Sequence, residues 1–124
     1  MRPGSNSALV LSSLVFEYAC DAMILLDSEL TVRAINPAAQ GMLGRHSEDV
    51  AGRLTCRTLL GCRPERARVE SGRLAACTCE QVMRLHRAIT RSRLCIRPYR
   101  GREMWVSASC SPLPVDHLGG AALV

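Results

Sequence analysis

The feature that most constrains this chain's fold is the placement of its strand-like segments, which lie towards both ends and enclose a block of short helices. Residues 22–26 and 30–35 are short apolar runs separated by an acidic turn, a pattern typical of paired β-strands. Residues 93–99 and 103–111 follow the helical block, and a fifth strand begins at 121–124. In the second of these segments the apolar residues alternate with Trp105, Ser107 and Ser109, which predicts that Met104, Val106, Ala108 and Cys110 share one face of the strand. Strands before and after a helical block predict an α+β fold, with an antiparallel sheet and the helices on one face.

Capping residues divide the first part of the helical block into short helices. Asn36 is a favoured N-cap and Pro37 suits the first helical position, so they predict a helix that ends near Gly44. Ser47 predicts the start of a second short helix, which Gly52 ends. None of these helices is long enough to form a core by itself, so we expect them to pack on the sheet.

The second part of the block is predicted to contain a short helix, a loop and one longer helix. The short helix lies around residues 56–62, and residues 63–76 show so little apolar periodicity that a loop is predicted there. Thr78 and Gln81 form the Thr-x-x-Gln pattern that caps the longer helix. The apolar face predicted for that helix consists of Val82, Leu85, His86 and Ile89.

Residues 8–19 are predicted to form an N-terminal helix that flanks the main domain. Ser7 is a suitable N-cap, and the helix is apolar beyond one stripe, since Val10 and Phe16 lie off its main apolar face. Such surplus apolar surface usually packs on a partner, so we expect a homodimer through residues 8–19. The resulting organisation is a flanking helix at 1–19 and a folded domain at 20–124.

Length and charge limit the function classes. The chain has 124 residues, enough for one domain, and its 16 basic residues, all arginine, give a net charge of +5. The arginines alternate with acidic residues in the first half, and aromatic residues (3%) are too few for base stacking, so we do not expect nucleic-acid binding. A zinc-stabilised nucleic-acid binder stays open as a third hypothesis. We expect no enzyme activity, because neither a catalytic triad nor a phosphate loop stands out.

The chain is expected to be cytoplasmic. It contains no apolar run of about 18 residues that could cross a membrane. Glu17 interrupts the apolar N-terminal stretch, and no cleavage site of small residues follows it, so a secretion signal is not predicted. In a reducing compartment the 7 cysteines would be thiols, metal ligands or redox centres rather than structural disulfides.

The order of these segments resembles a PAS domain. Residues 22–30, 31–39 and 44–52 match the first half of the family in sequence order, and Asn36-Pro37-Ala38 matches the Asn-x-Ala helix start that typically follows its second strand. The late strands of the family often carry a Gly, a Trp and a Ser-Pro. The matching residues here are Gly101, Trp105, Ser111 and Pro112. The resemblance covers about residues 15–124.

The resemblance implies both a fold and a role. The fold is a five-stranded antiparallel sheet with short helices on one face and an N-terminal flanking helix, through which such domains commonly dimerise. The role is sensory input: the domain encloses a ligand, a cofactor or only a core, and precedes a histidine kinase, transcription activator or cyclic-dinucleotide enzyme. The family usually ends its fifth strand with an Asp-x-Thr signature, which is expected beyond Val124 together with the output domain.

Four cysteines form the pattern C-x5-C-x14-C-x-C in the stretch with the least apolar periodicity. They are Cys56, Cys62, Cys77 and Cys79. A soft metal needs about four thiolates within a few ångströms, and a predicted loop at 63–76 could close the two pairs together. The second pair flanks Thr78, so its thiols lie at a predicted helix N-terminus, which favours the thiolate. We therefore expect the four sulfurs to meet on the helical side of the sheet.

The resemblance also suggests what these cysteines could hold. Some PAS domains carry a four-cysteine iron–sulfur cluster that senses oxygen or redox state, and zinc is the alternative, although C-x2-C pairs are absent here. A dithiol switch without metal and inert core thiols also stay open. Cys20, Cys95 and Cys110 lie in or beside strands and are predicted to pack in the core. A PAS domain used only for dimerisation or interaction is the second functional hypothesis.

Neither flavin nor haem is expected as a cofactor. Residues 52–61 resemble the photoactive-cysteine motif of flavin-binding LOV domains, but one residue is inserted before Cys56 and the motif's Asn is absent. Residues 103–111 also lack the Asn and Gln that hold a flavin ring. His86 is the alternative ligand for haem, because haem-binding PAS domains use a histidine on this helix. A core histidine that bonds a backbone carbonyl is the interpretation favoured for His86.

Overall fold

The computed structural model describes residues 3–64, 69–70, 73–74, 78–98, 101–113 and 121–124. Its helices are α1 (Pro3–Tyr18), α2 (Pro37–Leu43), α3 (Ser47–Val50), α4 (Cys56–Leu60) and α5 (Thr78–Leu85). Its strands are β1 (Ile24–Leu26), β2 (Val32–Ile35), β3 (Arg63–Pro64), β4 (Val69–Glu70), β5 (Arg73–Leu74), β6 (Ile89–Ile96), β7 (Met104–Pro112) and β8 (Ala121–Leu123). No helix in these ranges combines the length and the apolar character needed to cross a membrane.

The main sheet is antiparallel and has six strands in the order β2-β1-β8-β7-β6-β3. The predicted α+β class is therefore confirmed. Strand β8 lies in the middle of the sheet, where it pairs with β1 on one side and with β7 on the other. The last described strand therefore joins β1, near the start of the domain, to β7.

The predicted loop at 63–76 was wrong in part. Residues Arg63–Pro64 form the short edge strand β3 against Leu94 and Cys95, so the sheet has one strand more than the five predicted. Strands β4 and β5 form a separate two-stranded sheet within the same stretch. Such two-residue strands are too short to give an alternation pattern, and a proline is tolerated in β3 because that strand lies at an edge.

The core lies between the sheet and the short helices. Ile24 and Leu26 of β1 are buried, as are Ala108 and Cys110 of β7, whereas Trp105 on β7 is 52% exposed. The predicted alternation of inner and outer residues along β7 is thus confirmed at these positions. The buried residues of the strands and helices form one continuous apolar cluster.

The side chain of Asn36 makes hydrogen bonds both to α2 and to the segment before β1, whereas a simple cap would bond only to the helix. Its Oδ1 accepts hydrogen bonds from the backbone N–H of Ala39 at 3.0 Å and of Met23 at 2.9 Å. Its Nδ2 donates to the backbone oxygen of Asp21 at 2.9 Å, and the residue is fully buried. The predicted cap is confirmed, and the same side chain also fixes the segment that enters β1.

The longer helix is shorter than predicted. Helix α5 ends at Leu85, because His86 adopts a left-handed conformation with a φ of 54° and its N–H donates to the carbonyl of Val82. The chain then turns, and β6 begins at Ile89, four residues before the predicted strand at 93–99. The predicted face was therefore wrong: Val82 is buried, but Leu85 and His86 are exposed.

Helix α1 begins at Pro3, before the start of the predicted 8–19 segment. Its C-terminal half has apolar side chains that no other described element covers. Its exposed large apolar side chains are Val10, Leu11, Leu14, Val15 and Tyr18. A single copy of the chain leaves these side chains in solvent. The predicted helix is confirmed, and the homodimer through it stays a prediction.

Candidate functional site

Three thiols from three different elements converge in the core. The S–H of Cys110 on β7 donates a hydrogen bond to the sulfur of Cys79 on α5, with 3.3 Å between the sulfurs. Cys56, the first residue of α4, also hydrogen-bonds to the Cys79 side chain. We name these three residues the thiol cluster. All three are buried, and Cys79 is only 4% exposed.

Local capping fixes Cys56 in this position. Thr55 is the N-cap of α4, and its Oγ1 accepts from the backbone N–H of Thr58 at 3.3 Å. The N–H of Cys56 donates to the carbonyl of Leu30 at 2.8 Å. Leu30 lies two residues before the start of β2, so this bond joins the start of α4 to the segment that enters β2. The first turn of α4 is therefore anchored to the sheet, and the Cys56 side chain is directed to the core.

The other two thiols are positioned by the sheet and by α5. Cys110 pairs with Ile89 of β6 on one side and with Leu123 of β8 on the other, so it lies at the centre of the sheet. Cys79 is the second residue of α5. The hydroxyl oxygen of Thr78, the first residue of that helix, lies 3.4 Å from the hydroxyl oxygen of Ser92 on β6. Contacts from α5 to β6 and β7 thus bring the start of this helix onto the strand that carries Cys110.

Hydrogen bonding favours the ionised form of Cys79. The thiol of Cys110, and then that of Cys56, donate to the Cys79 sulfur and lower its pKa to about 4, against the effect of burial, which raises it. A thiolate is the form of cysteine that binds metals and reacts with electrophiles. The arrangement therefore gives one buried, electron-rich sulfur with two thiol neighbours.

The structure brings together part of the predicted cysteine quartet. Cys56 and Cys79, one from each predicted pair, are in contact. Cys62 is half-buried and packs against the core just beyond the end of α4, while Cys77 lies outside the described residues. Two of the four predicted ligands are therefore adjacent, and their soft sulfur donors suit iron–sulfur clusters and zinc. Among the residues that the structure describes, no three Cys, His, Asp or Glu side chains, the thiol cluster included, have an arrangement that could hold a metal ion.

Cys110 is the member of the cluster that the sequence did not connect to the others. The sequence predicts only that it packs in the core, and its complete burial confirms that prediction. It lies 31 residues after Cys79, so no local spacing relates the two. Of the other predicted core cysteines, Cys95 is buried, with its sulfur 3.8 Å from a Glu103 oxygen. Cys20 is exposed, because it lies in the bend between α1 and β1, and its predicted burial was wrong.

His86 does not occupy the position that a haem ligand was predicted to have. It follows the last residue of α5, adopts the left-handed conformation and is exposed. The interpretation as a buried core histidine was also wrong, for the same reason. The helix ends one residue before the apolar face could include this side chain.

A cavity of about 440 Å³ lies between the inner face of the sheet and the short helices. Its apolar lining includes Ile24, Met42 and Leu60, from three different elements, and Asp21 and Ser109 are among its polar residues. This volume is within the range of small-molecule sites. The sequence did not predict the cavity, because its walls come from segments that are distant along the chain.

Comparison with known proteins gives the same fold. A family model described as PAS domain matches residues 21–124. The PAS domain of nitrogen regulation protein NR(II) from Vibrio parahaemolyticus has a TM-score of 0.70 at 18% identity, over 91% of this chain and 94% of that one. A PAS domain from Colwellia psychrerythraea has a TM-score of 0.70 at 16% identity, over 94% of this chain and 92% of that one.

A third solved structure is a domain of a sensory box sensor histidine kinase/response regulator from Geobacter sulfurreducens. It has a TM-score of 0.69 at 21% identity, over 96% of this chain and 93% of that one. No curated protein matches the chain in sequence. On the family match over residues 21–124, which is most of its length, this chain belongs to the PAS domain family.

Proposed function

We propose that this chain is the sensory input domain of a signal-transduction protein, and that it detects redox state or oxygen at its buried cysteines. The observation that carries the proposal is the Cys79 sulfur, which accepts hydrogen bonds from Cys110 and Cys56 inside the core of a PAS fold. A thiol whose pKa is lowered by two neighbouring thiols is the form that binds metals and reacts with oxidants, so this group suggests a chemical use. The proposal includes a cytoplasmic location, where the thiols would be kept reduced.

The position of the thiols suggests how a chemical change could be transmitted. Cys56 begins α4, Cys79 lies in the first turn of α5, and Cys110 lies at the centre of the sheet. A change in bonding at Cys79 would alter how α5 packs on β7. It would also release the segment 53–79, which leads into α5. The shift would then reach helix α1 or an output domain C-terminal to Val124. Two of the similar structures come from a nitrogen regulation protein and a sensor histidine kinase/response regulator.

An iron–sulfur cluster is the cofactor that we propose, with zinc as the alternative, and Cys56, Cys62, Cys77 and Cys79 as the residues that would hold it. When bound, a cluster would supply electron exchange with an oxidant or with oxygen. The chain's own contribution is to hold Cys56 through the cap of α4 and Cys79 through the first turn of α5. Loss of the ligand bonds would free both helix starts from a shared anchor, since Cys56 and Cys79 lie on separate helices.

Anaerobic purification with absorption spectra and iron, sulfide and zinc analysis tests this proposal. We expect the wild-type protein to contain a cluster or zinc, and the Cys56→Ser and Cys79→Ser variants to lose most of it. Cys20→Ser is the matched control, because Cys20 is exposed and outside the quartet. A colourless, metal-free wild-type protein that gains neither iron nor zinc on reconstitution would contradict metal-based sensing.

The second candidate is a PAS domain without cofactor that serves dimerisation or protein interaction. The uncovered apolar side chains of α1 favour it, because a folded monomer gains nothing from leaving them in solvent. Replacing the four quartet cysteines by serine would then leave both the fold and signalling unchanged. Loss of signalling by a variant that still folds would count against this candidate.

Nucleic-acid binding has weaker support than either candidate. Within the part of the chain that the structure describes, Arg33 pairs with Asp27, Arg57 with Glu80, and Arg97 with Glu103. Paired guanidinium groups on a surface are less available to neutralise phosphates. A zinc-stabilised nucleic-acid binder is therefore not proposed.

A further inference from the structure

We propose that Cys79 and Cys110 form a reversible disulfide bond that joins the first turn of α5 to the centre of the sheet. The two sulfurs are 3.3 Å apart in the reduced protein. A disulfide has an S–S length of about 2.05 Å, so the sulfurs need to approach by only about 1.2 Å. Helix α5 packs directly on β7, and a small displacement of its first turn would close this gap.

The surroundings of the pair restrict the oxidant. Cys110 is fully buried and Cys79 nearly so, within a core that includes Val82, Leu94 and Ala108. A bulky disulfide such as oxidised glutathione could not reach either sulfur without opening the domain. A small hydroperoxide needs far less space, and we take hydrogen peroxide as the oxidant.

The reaction proceeds in two balanced steps. The sulfur of Cys79 attacks one peroxide oxygen, which forms the S–O bond of a sulfenic acid and breaks the O–O bond, and the leaving hydroxide takes up the proton that the Cys79 thiol gave up, forming water. The sulfur of Cys110 then attacks the Cys79 sulfur, which forms the S–S bond and breaks the S–O bond, and the second hydroxide leaves with the proton of Cys110. Two thiols are oxidised by two electrons, and one peroxide is reduced to two waters.

The bond would connect α5 to the strands around Cys110. This residue pairs with Leu123 of β8 and with Ile89 of β6, so the crosslink holds α5 at the middle of the sheet. Cys79 cannot be a metal ligand and a disulfide partner at the same time, because a metal binds the thiolate and a disulfide leaves no thiolate on that sulfur. Oxidation and metal binding at Cys79 therefore exclude each other. A signalling role for the crosslink rests on the proposed redox function, but formation of the crosslink requires no metal.

Peptide mapping of the metal-free protein tests the inference. The wild-type protein is treated with a chelator and then with hydrogen peroxide, alkylated under denaturing conditions and digested without reductant. We expect a crosslinked peptide pair that contains Cys79 and Cys110 and that disappears after treatment with a dithiol reductant. Both Cys79→Ser and Cys110→Ser should lose it, while Cys95→Ser, which alters another buried cysteine, should keep it.

The outcomes separate this inference from the proposed cofactor. A crosslink between Cys79 and Cys56, or no crosslink at all in wild-type protein that remains folded, would overturn the Cys79–Cys110 pairing. Failure of the metal assay leaves the crosslink test unchanged, because that test uses metal-free protein. If a serine variant fails to fold, the fragmentation spectrum of the wild-type crosslinked peptide still decides, because it distinguishes Cys79 from Cys77, two positions earlier in the same peptide.

Discussion

At the scale of single residues, Asn36 stabilises the fold through more hydrogen bonds than a helix N-cap normally makes. It satisfies the N–H groups of Ala39 and Met23 and the carbonyl of Asp21 while fully buried. We expect Asn36→Ala to lower the free energy of unfolding by about 2–4 kcal/mol, because it removes a cap and leaves buried backbone groups without partners. Urea denaturation measures this change.

The control for this prediction is the N-cap of α3. His46 occupies that position without a side-chain hydrogen bond to the helix, and it is exposed. We expect His46→Ala to change the free energy of unfolding by less than about 0.5 kcal/mol. Equal effects of the two substitutions would show that the hydrogen bonds of Asn36 do not stabilise the fold.

Cys79 predicts a pH dependence of stability. Hydrogen bonds from Cys110 and Cys56 lower its pKa to about 4 in the folded state, while an unfolded cysteine has a pKa of about 8.5. The stabilisation is therefore complete above about pH 8.5, falls as the pH decreases, and is lost once the pH passes below the folded pKa. The free-energy difference between wild type and Cys79→Ala should thus be larger at pH 9 than at pH 5.

Urea denaturation at both pH values, with reductant and chelator present, measures this difference. The matched control is Val82→Ala, which alters a buried residue of the same helix that does not titrate. Its difference from wild type should be independent of pH. The same pH-independent behaviour in Cys79→Ala would contradict an ionised thiol at this position.

At the scale of elements, a glycine inside one short helix and a glycine that caps another predict opposite effects of substitution by alanine. Gly61 caps α4 with a φ of 54°, a conformation that costs an alanine about 1 kcal/mol. Gly41 lies inside α2, and a Cβ there would meet nothing within 4 Å. We expect Gly61→Ala to be destabilising by about 1 kcal/mol and Gly41→Ala to be stabilising by about 0.5–1 kcal/mol.

Thermal or urea unfolding of the two variants checks the signs. The pair forms its own control, because the added methyl group is the same and only the backbone conformation differs. Destabilisation by Gly41→Ala similar to that by Gly61→Ala would contradict the assignment of α2 as a regular helix at this position.

Helix α1 predicts an association that depends on its apolar side chains. Leu11 and Val15 are exposed one turn apart on this helix. We expect the double substitution Leu11→Ser and Val15→Ser to shift a wild-type dimer towards monomer at equal protein concentration, as measured by sedimentation equilibrium. Glu17→Gln is the control, because it alters an exposed polar residue of the same helix. A wild-type protein that is monomeric at high concentration would contradict the prediction.

The elements that follow from local signals were predictable from the sequence. Asn36 and Pro37 marked the start of α2, and alternation along β7 identified Cys110 as an inner residue, because both signals depend on near neighbours in the chain. The end of α5 was not predictable, since Leu85 and Ile89 continue the helical spacing although the backbone turns at His86. The favourable pairing of β6 from Ile89 onward outweighs the local pattern.

At the scale of the whole molecule, the thiol cluster is a product of topology. The sequence connected Cys56 with Cys79 through the quartet pattern, but Cys110 joins them only because β7 lies beneath the start of α5. The cavity likewise has walls from β1, α2 and α4. Contacts of this range depend on how sheet and helices pack, and periodicity in one segment carries no information about them.

The most direct test of redox sensing at the buried cysteines is amide hydrogen exchange of the metal-free protein before and after peroxide treatment. We expect oxidation to change the exchange rates of α5 and β7, because Cys79 and Cys110 belong to these elements, and to leave α2 unchanged. The Cys79→Ser variant should show no such change. Identical exchange in reduced and peroxide-treated wild-type protein would contradict a sensor that acts through these thiols.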